Sequence, residues 1–240
     1  MAKFIDETGL AHLIKKNDAR YVRQEEGKGL STNDFSDEYK KIVDDLNYVK
    51  IAINSMTATN QANEIGSTVT ATTVNWTTNK TPKTLKIKFG SEVEENLDVS
   101  LKTKAFSGKS VKSNTNILLT ATDERKATAT KQVTISFQPK VYWGVADGSN
   151  YDDAVLLGLG NGALSGSRNR TFSANAGSGQ YIVYAIPSSF GTPTFNVGGF
   201  DGGFKKVKTF SHTNASGYAQ NYDVWQSVNA GLGQTTVVVK

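Results

Sequence analysis

The sequence predicts a mainly β protein with an N-terminal α-helical coiled-coil stalk. Between residues 35 and 56, apolar side chains recur at alternating spacings of three and four, which is the period of a helical seam. Beyond residue 65, short runs alternate apolar and polar positions and are separated by turn residues, which is the period of β-strands. A hydrophobic content of 38% with 22 glycines also favours a β-rich chain over a helical enzyme core.

Residues 1–29 are interpreted as a segment that anchors the chain to a partner. They contain a short predicted helix in which Leu10, Leu13 and Ile14 form an apolar face, followed by a polar, glycine-containing connection. Such a segment buries little surface by itself, so we expect it to order on a docking partner. The alternative is a flexible tail.

Residues 30–64 are predicted to form the coiled-coil stalk and a short polar linker. The helix is expected over residues 36–56, with Ser36 as its N-cap and no proline or glycine inside it. Isoleucine at both an a and a d position of the heptad favours three strands over two. The alternative is a surface helix that packs on the core of its own chain. The predicted homotrimer interface consists of Phe35, Tyr39, Ile42, Leu46, Val49, Ile53 and Met56.

Residues 65–138 are predicted to form an immunoglobulin-like β-sandwich. About seven short strands in roughly 75 residues match the strand spacing of such domains, and Trp76 is the expected core aromatic. The chain contains no cysteine, so this assignment depends on patterning alone. The same absence excludes disulfides, thiolate nucleophiles and cysteine-based zinc sites.

Residues 139–240 are predicted to form a second β-sandwich-like domain, displayed at the C-terminal end. Glycine pairs at 198–199 and 202–203 predict tight turns or bulges that need positive φ. The lack of helical periods argues against an α/β fold. Strands are expected at residues 141–145, 180–186, 194–197, 205–210, 222–227 and 235–239.

Composition argues against membrane and nucleic-acid functions. Every apolar run is much shorter than the ~20 residues that cross a bilayer, and the N-terminus lacks the apolar core of a signal peptide. Residues 65–140 carry 12 basic against 6 acidic side chains. These lysines alternate with apolar residues, so we interpret them as the solvent face of strands rather than as a nucleic-acid-binding surface.

The sequence predicts no catalytic, metal or cofactor site. His12 and His212 lie in different predicted segments, which argues against a catalytic triad or a histidine-rich metal site. Calcium binding by Asp147, Asp152 and Asp153 would depart from the EF-hand spacing, and a solvated turn is the simpler interpretation. Glycoside hydrolysis would need a close pair among the aspartates at 147, 152, 153, 201 and 223, which the sequence does not establish.

Aromatic and amide side chains concentrate near the C-terminus. This mixture suits glycan binding, because rings stack on sugars while amides bond to hydroxyl groups. The competing interpretation is that strand alternation places part of this group in the core. The candidate glycan-binding residues are Tyr218, Tyr222, Trp225, Asn214 and Asn221.

Several stretches resemble bacteriophage appendage proteins. Residues 27–43, GKGLSTNDFSDEYKKIV, resemble the LSTNDF-type junction near the N-termini of phage fibre, tail and baseplate appendages. Residues 74–87, VNWTTNKTPKTLKI, and 118–137, LLTATDERKATATKQVTISF, resemble their Ig-like modules. VYWGV, YIVYAIP, GGFDGGF and NASGYAQNYDVW resemble the distal domain that often follows.

The resemblance implies a homotrimeric virion fibre, made in the host cytoplasm and assembled on the particle. Its N-terminus would bind other virion proteins at the head or the tail, and its C-terminal domain would face the host surface and its glycans. The family brings no catalytic residues, so a non-enzymatic structural protein is expected. The alternatives are a bacterial carbohydrate-binding or adhesion module and a purely structural spacer.

Overall fold

The computed structural model describes residues 6–18 and 37–240. The chain divides into two compact units between residues 50 and 51. The described part of the first unit contains α1 (Glu7–Asp18) and α2 (Asp37–Leu46). The helix predicted around Leu10 is confirmed by α1. Phe35, Ser36 and the LSTNDF junction lie outside the described residues.

The helix predicted over residues 36–56 is wrong beyond Leu46. Residues 48–52 have no regular secondary structure and lead into strand β1 (Ile53–Ala58). Ile53 and Met56 are each 8% exposed in the core of the following β-sandwich, so they do not belong to a helical seam. The register of β1 shifts between Ile53 and Ser55, and this bulge turns two residues three apart to the same face. The bulge therefore imitates helical spacing.

Residues 51–138 form the first sandwich, in which two sheets enclose one hydrophobic core. The sheets have the strand orders β1-β3-β6 and β2-β8-β7-β4-β5, and only β2 pairs in parallel, with β8. The core includes Ile51, so this sandwich begins earlier than the predicted boundary at residue 65. The strands after β1 are β2 (Ala62–Glu64), β3 (Thr72–Thr78), β4 (Thr84–Phe89), β5 (Glu95–Leu97), β6 (Thr103–Phe106), β7 (Thr115–Thr122) and β8 (Thr128–Gln138).

The alternation of apolar and polar side chains along each strand explains how the first sandwich packs. In β4 the side chains of Leu85, Ile87 and Phe89 are buried while the lysines between them lie towards solvent. Trp76 on β3 is buried in the same core, as predicted. The excess of basic residues in this region therefore lies largely on strand faces turned away from the core.

Residues 139–240 form the second sandwich. Its sheets have the orders β10-β9-β12-β16-β15 and β11-β17-β13-β14. All six predicted strands are present, whereas α3, β10, β11 and β14 were not predicted. The elements are β9 (Lys140–Ala146), α3 (Asp153–Gly158), β10 (Asn161–Leu164), β11 (Arg170–Ala176), β12 (Tyr181–Pro187), β13 (Phe195–Val197), β14 (Phe200–Asp201), β15 (Phe204–Thr213), β16 (Ala219–Ser227) and β17 (Gly233–Val239), with a 3-10 turn at Ser188–Phe190.

The central strands of the five-stranded sheet of the second sandwich are buried on both faces. One face packs against the four-stranded sheet, where Tyr184 stacks on Phe172. The other face is covered by α3 through Leu156. Helix and sheet approach closely because β9 carries Gly144, where an added Cβ would overlap the carbonyl oxygen of Leu159. Central strand β12 is consequently apolar at nearly every position.

The two sandwiches are joined by a connection of a single residue. Pro139 is the one residue between β8 and β9. The Asn214 side chain donates a 2.6 Å hydrogen bond to the carbonyl oxygen of Ile65, and Lys140 pairs with Glu64 at 3.2 Å. These contacts fix the second sandwich against the end of the first.

Candidate functional site

The hairpin formed by β13 and β14 is the most exposed aromatic feature of the second sandwich. Its register pairs Asn196 with Asp201 and Val197 with Phe200. Glycine pairs at residues 198–199 and 202–203 flank it, all four with φ between 57° and 100°, which confirms the predicted tight turns. These backbone angles are accessible to glycine and strongly disfavoured for other residues, so the sequence GGFDGGF specifies the hairpin.

This hairpin borders a cavity of about 600 Å³, which we call the β13–β14 groove. The volume lies within the ~300–1,000 Å³ range typical of ligand pockets. The rings of Phe195 and Phe204 stack at 4.2 Å, and Trp225 lies 5.7 Å from Phe195. The groove is lined by Pro193, Thr194, Phe195, Asn196, Asp201, Gly202, Phe204, Trp225, Val238 and Lys240.

The polar groups of the groove are few and close together. Asn196 Nδ2 donates to Asp201 Oδ1 at 2.7 Å, and Asn196 Oδ1 accepts from the amide of Gly199. The indole nitrogen of Trp225 is buried and has no hydrogen-bond partner among the described residues. Beside Asp201, the Phe200 ring is 81% exposed. The groove therefore combines an aromatic wall of Phe195, Phe204 and Trp225 with the Asn196–Asp201 pair.

The structure disperses the five candidate glycan-binding residues. Trp225 lines the groove, whereas Tyr222 projects from the opposite face of β16, is 2% exposed and donates to the carbonyl oxygen of Lys140. Asn214 is buried at the junction between the sandwiches. Tyr218 and Asn221 are exposed but do not line the groove.

Sequence reasoning missed the side chains that surround Trp225. Asn196 and Asp201 are far from Trp225 in sequence and reach the groove through the β13–β14 hairpin, whereas Phe200 does not line it. The sequence does contain one indication of this site, which is the Phe200–Asp201 pair between two glycine pairs. Glycine pairs of this kind form tight turns that place the side chains between them at the tip.

His212 belongs to a buried network rather than to a catalytic triad. It is 1% exposed, its Nδ1 lies 2.6 Å from Asp153 Oδ1, and its Nε2 lies 3.1 Å from the hydroxyl of Tyr142. Burial, with the charges of Glu64 and Asp153 as lesser causes, raises the pKa of Tyr142 to about 12. The phenol therefore stays protonated at neutral pH, and the network ties α3 to β15.

The remaining candidate carboxylates each have a local structural role. Asp147 accepts hydrogen bonds from Ser149, and Asp152 caps α3 by accepting from the amide of Val155. Asp223 is buried between β15 and the 3-10 turn. Within residues 6–18 and 37–240, no group of three or more His, Cys, Asp or Glu side chains is placed to hold a metal ion.

Asp223 is expected to make the stability of the protein sensitive to acid. Burial alone would raise its pKa, but hydrogen bonds from Thr209, Ser188 and Lys206 together outweigh burial and lower the pKa below the ordinary value of 3.8. A lowered pKa in the folded state contributes stability above the unfolded-state pKa, and this contribution is lost as the pH falls through the folded-state pKa. The free energy of unfolding should therefore decrease below about pH 4, and Asp223→Asn should show a shallower decrease.

Urea denaturation of both proteins across this pH range measures the effect. The comparison uses the slope against pH rather than the absolute stability, because the substitution also removes hydrogen bonds. Parallel slopes for the two proteins would show that Asp223 does not contribute.

Comparison with known proteins identifies no family for this chain. No family model matches it, and no curated protein matches it. A solved structure of chitinase ChiA74 from Bacillus thuringiensis aligns at a TM-score of 0.27 and 9% identity, over 78% of this chain and 26% of the chitinase chain. At this TM-score the alignment carries no argument about fold or activity. None of the helices in the described part of the chain is long and apolar enough to span a membrane.

Proposed function

We propose that this chain is a non-enzymatic structural fibre protein of a bacteriophage virion. In this proposal it is a homotrimer attached through its N-terminus to other proteins of the head or tail, and it presents an Ig-like first sandwich and a second sandwich to the host surface. The observation that carries the proposal is the exposed apolar surface of α2 in a chain whose residues 51–240 form two consecutive β-sandwiches.

The apolar side chains of α2 are poorly covered within one chain. Leu46 is 80% exposed, and Ile42 and Val43 are also exposed. A helix of fewer than ~12–15 residues is only marginally stable in water, and α2 has 10. Association with copies of itself would bury these side chains and stabilise the helix, since burying a large aliphatic side chain contributes about 1.5–3 kcal/mol. The occupant that we infer for this surface is therefore α2 of two further copies.

The two sandwiches support the fibre proposal through the way they are joined. A one-residue connection and direct hydrogen bonds make residues 51–240 one compact unit. A continuous pair of domains of this kind suits a projecting spacer, because the displayed end keeps a fixed position on the domain below it. The buried carboxylates and His212 are engaged in structural hydrogen bonds, which favours a structural role over catalysis.

A second candidate is a bacterial carbohydrate-binding or adhesion module without any virion. The aromatic lining of the β13–β14 groove supports a glycan-binding role, which an adhesion module and a fibre would share. A purely structural spacer is the third candidate, and it would leave the groove without a ligand. The fibre proposal is distinguished from both by the location of the protein.

Particles of a phage that encodes this chain test the location directly. Antibodies against residues 51–240 should label the particle surface at the head or the tail in electron micrographs. Deletion of residues 1–29 should abolish labelling while the purified variant keeps the β circular dichroism of the full chain. Unlabelled particles from the undeleted phage would contradict the virion proposal, and normal labelling of the deletion would contradict the anchoring role of residues 1–29.

A further inference from the structure

We infer that a pocket beside β15 binds a sugar unit with one negative charge, whose carboxylate or sulfate group is held by Lys205, Lys208 and Gln226. We call it the 147–151 pocket, after the loop that forms its rim. The inference rests on the proposed function, in which the second sandwich is displayed towards the host surface. It adds a site, its residues and the chemical class of the ligand.

The 147–151 pocket lies at one end of the five-stranded sheet, on the face that α3 covers. Its volume is about 430 Å³, within the ~300–1,000 Å³ range typical of ligand pockets. It is separate from the β13–β14 groove, because Gln226 and Trp225 are neighbours in β16 and project from opposite faces of that strand. The lining residues are Asp147, Gly148, Ser149, Asn150, Tyr151, Tyr181, Lys205, Val207, Lys208 and Gln226.

A β-bulge in the edge strand β15 turns two lysines towards the pocket. The register pairs Lys205 with Gln226. It pairs Lys208 with Val224, which lies two residues before Gln226 and on the same face of β16. Residues three apart in a regular strand face opposite ways, and the register shift between Lys206 and Lys208 removes this opposition. The bulge therefore brings the ammonium groups of Lys205 and Lys208 to one face of the sheet.

The two lysines carry more positive charge than the lining balances. Neither forms an ion pair with any residue in the described ranges. Lys208 is partly buried, and its Nζ donates a hydrogen bond to the carbonyl oxygen of Tyr151, which leaves two of its three donors. Asp147 is the one acidic side chain of the lining. Two positive charges against one negative favour a ligand that carries a single negative charge.

Gln226 supplies a donor that the protein itself does not use. The side chain is 5% exposed, and its Oε1 accepts a 2.5 Å hydrogen bond from the hydroxyl of Tyr151. Its Nε2 donates to none of the described residues, although a buried amide nitrogen usually has an acceptor. Unlike the enclosed indole nitrogen of Trp225, this nitrogen keeps accessible surface, and Gln226 lines the pocket. An oxyanion in the pocket can therefore accept from it.

The orientation of the Gln226 amide is fixed by Tyr151. Burial, with the charge of Asp147 and the neighbouring Tyr181 as lesser causes, raises the pKa of Tyr151 to about 12. The phenol consequently stays protonated at neutral pH and donates to the amide oxygen, so the amide nitrogen is left for a ligand. Hydrogen bonds from neutral and cationic donors to an anion are stronger than those between neutral groups.

The rim of the pocket favours a sugar over an acidic peptide. Gly148 has a φ of 83°, and a Cβ added there would lie 2.8 Å from a ring carbon of Tyr181, so the loop packs directly on this ring. Asp147 Oδ1 holds the turn by accepting from the amide and the hydroxyl of Ser149. Val207 is the one aliphatic side chain of the lining. A polar wall of this kind suits the hydroxyl groups that surround the charged group of a sugar.

Isothermal titration calorimetry on the full-length protein tests the ligand class. The probes share one scaffold: lactose, lactose with one sialic acid, and lactose with one sulfate ester. A short peptide with a single glutamate carboxylate is the comparator. At least one acidic sugar should bind about tenfold more tightly than lactose and than the peptide. The sialylated and sulfated arms show which of the two anionic groups the pocket accepts.

Two variants and one control locate the site. Lys205→Gln and Gln226→Met should each weaken binding of the acidic sugar by about tenfold. Lys206→Gln is the matched control, because it removes the same charge from the next residue of β15, which pairs with Trp225 and lies on the opposite face. The control should keep the affinity of the unaltered protein. Lys205 is exposed, so its replacement keeps the test valid if Gln226→Met fails to fold.

Three results would overturn the inference. The first is that no acidic sugar binds more tightly than lactose. The second is that the glutamate peptide binds as tightly as the acidic sugars, which would assign the pocket to acidic peptides. The third is that Lys206→Gln weakens binding as much as Lys205→Gln, which would show a general attraction between a basic protein and an anion.

The outcomes also separate this inference from the fibre proposal. A monomeric protein, absent from particles, that binds an acidic sugar through Lys205 would retain the pocket and remove the fibre. A trimer located on particles that binds no acidic sugar would retain the fibre and remove the pocket.

Discussion

Replacing Leu46 by aspartate is expected to convert the proposed trimer into monomers while both sandwiches remain folded. Leu46 is the most exposed large apolar residue of α2, and Ile42 lies one turn before it. In a trimer the substitution would place three carboxylates in one apolar interface, where like charges without partners are strongly unfavourable. Leu46 is not a member of the hydrophobic core of the first sandwich.

Light scattering on purified protein at micromolar concentration measures this change, and thermal unfolding monitors the sandwiches. Val93→Asp is the matched control, because Val93 is exposed on the first sandwich and outside α2. The control should keep the mass of the unaltered protein. If the protein without substitutions is already a monomer, the trimer proposal is refuted. If it is a dimer, the proposed self-association stands with two chains instead of three.

Replacing Asp123 by alanine is expected to lower the free energy of unfolding by about 3 kcal/mol. Asp123 is 1% exposed and pairs with Lys80 at 3.2 Å. Its carboxylate also accepts from the backbone amides of Ile51, Arg125 and Ala127, at 2.9–3.2 Å. Alanine would leave these buried donors without their acceptor, at the point where the chain enters the first sandwich.

Urea denaturation of the two proteins measures the loss. Asp98→Ala is the control, because Asp98 is an exposed turn residue of the same sandwich whose carboxylate accepts hydrogen bonds from Ser100 alone. The control is expected to change the free energy of unfolding by less than about 1 kcal/mol. Asp123→Asn should fall between the two, since the amide oxygen accepts hydrogen bonds but carries no charge for Lys80. An Asp123→Ala protein as stable as the control would contradict this account.

The strands could be predicted because the order of apolar and polar residues along each strand matches the burial of its two faces. Leu85, Ile87 and Phe89 alternate with solvent-facing residues, and β12 is uniformly apolar because both of its faces are covered. Helix α3 was not predictable from periodicity, since its six residues span fewer than two turns. The helix prediction failed at β1 because the bulge places Ile53 and Met56, three residues apart, on one side of a strand. This spacing is the same as that of a helical face.

The candidate site shows the limit of sequence reasoning more clearly. Strand alternation predicts that part of this aromatic group lies in the core, but the sequence does not show that both faces of β16 are covered. Tyr222 packs under α3 and Trp225 packs towards the four-stranded sheet. Which aromatic reaches the surface depends on the four-stranded sheet and the β13–β14 hairpin, and these are contacts between residues distant in sequence.

The short connection at Pro139 has a consequence for binding at the distal end. A flexible tether would let the second sandwich tumble, and each binding event would then have to immobilise it against the first sandwich. With one residue between β8 and β9 and the hydrogen bond from Asn214 to Ile65, that orientational entropy is already lost during folding. The orientation of the groove relative to the first sandwich is therefore set before any ligand binds. A force applied to the second sandwich is transmitted directly through the backbone to the first sandwich.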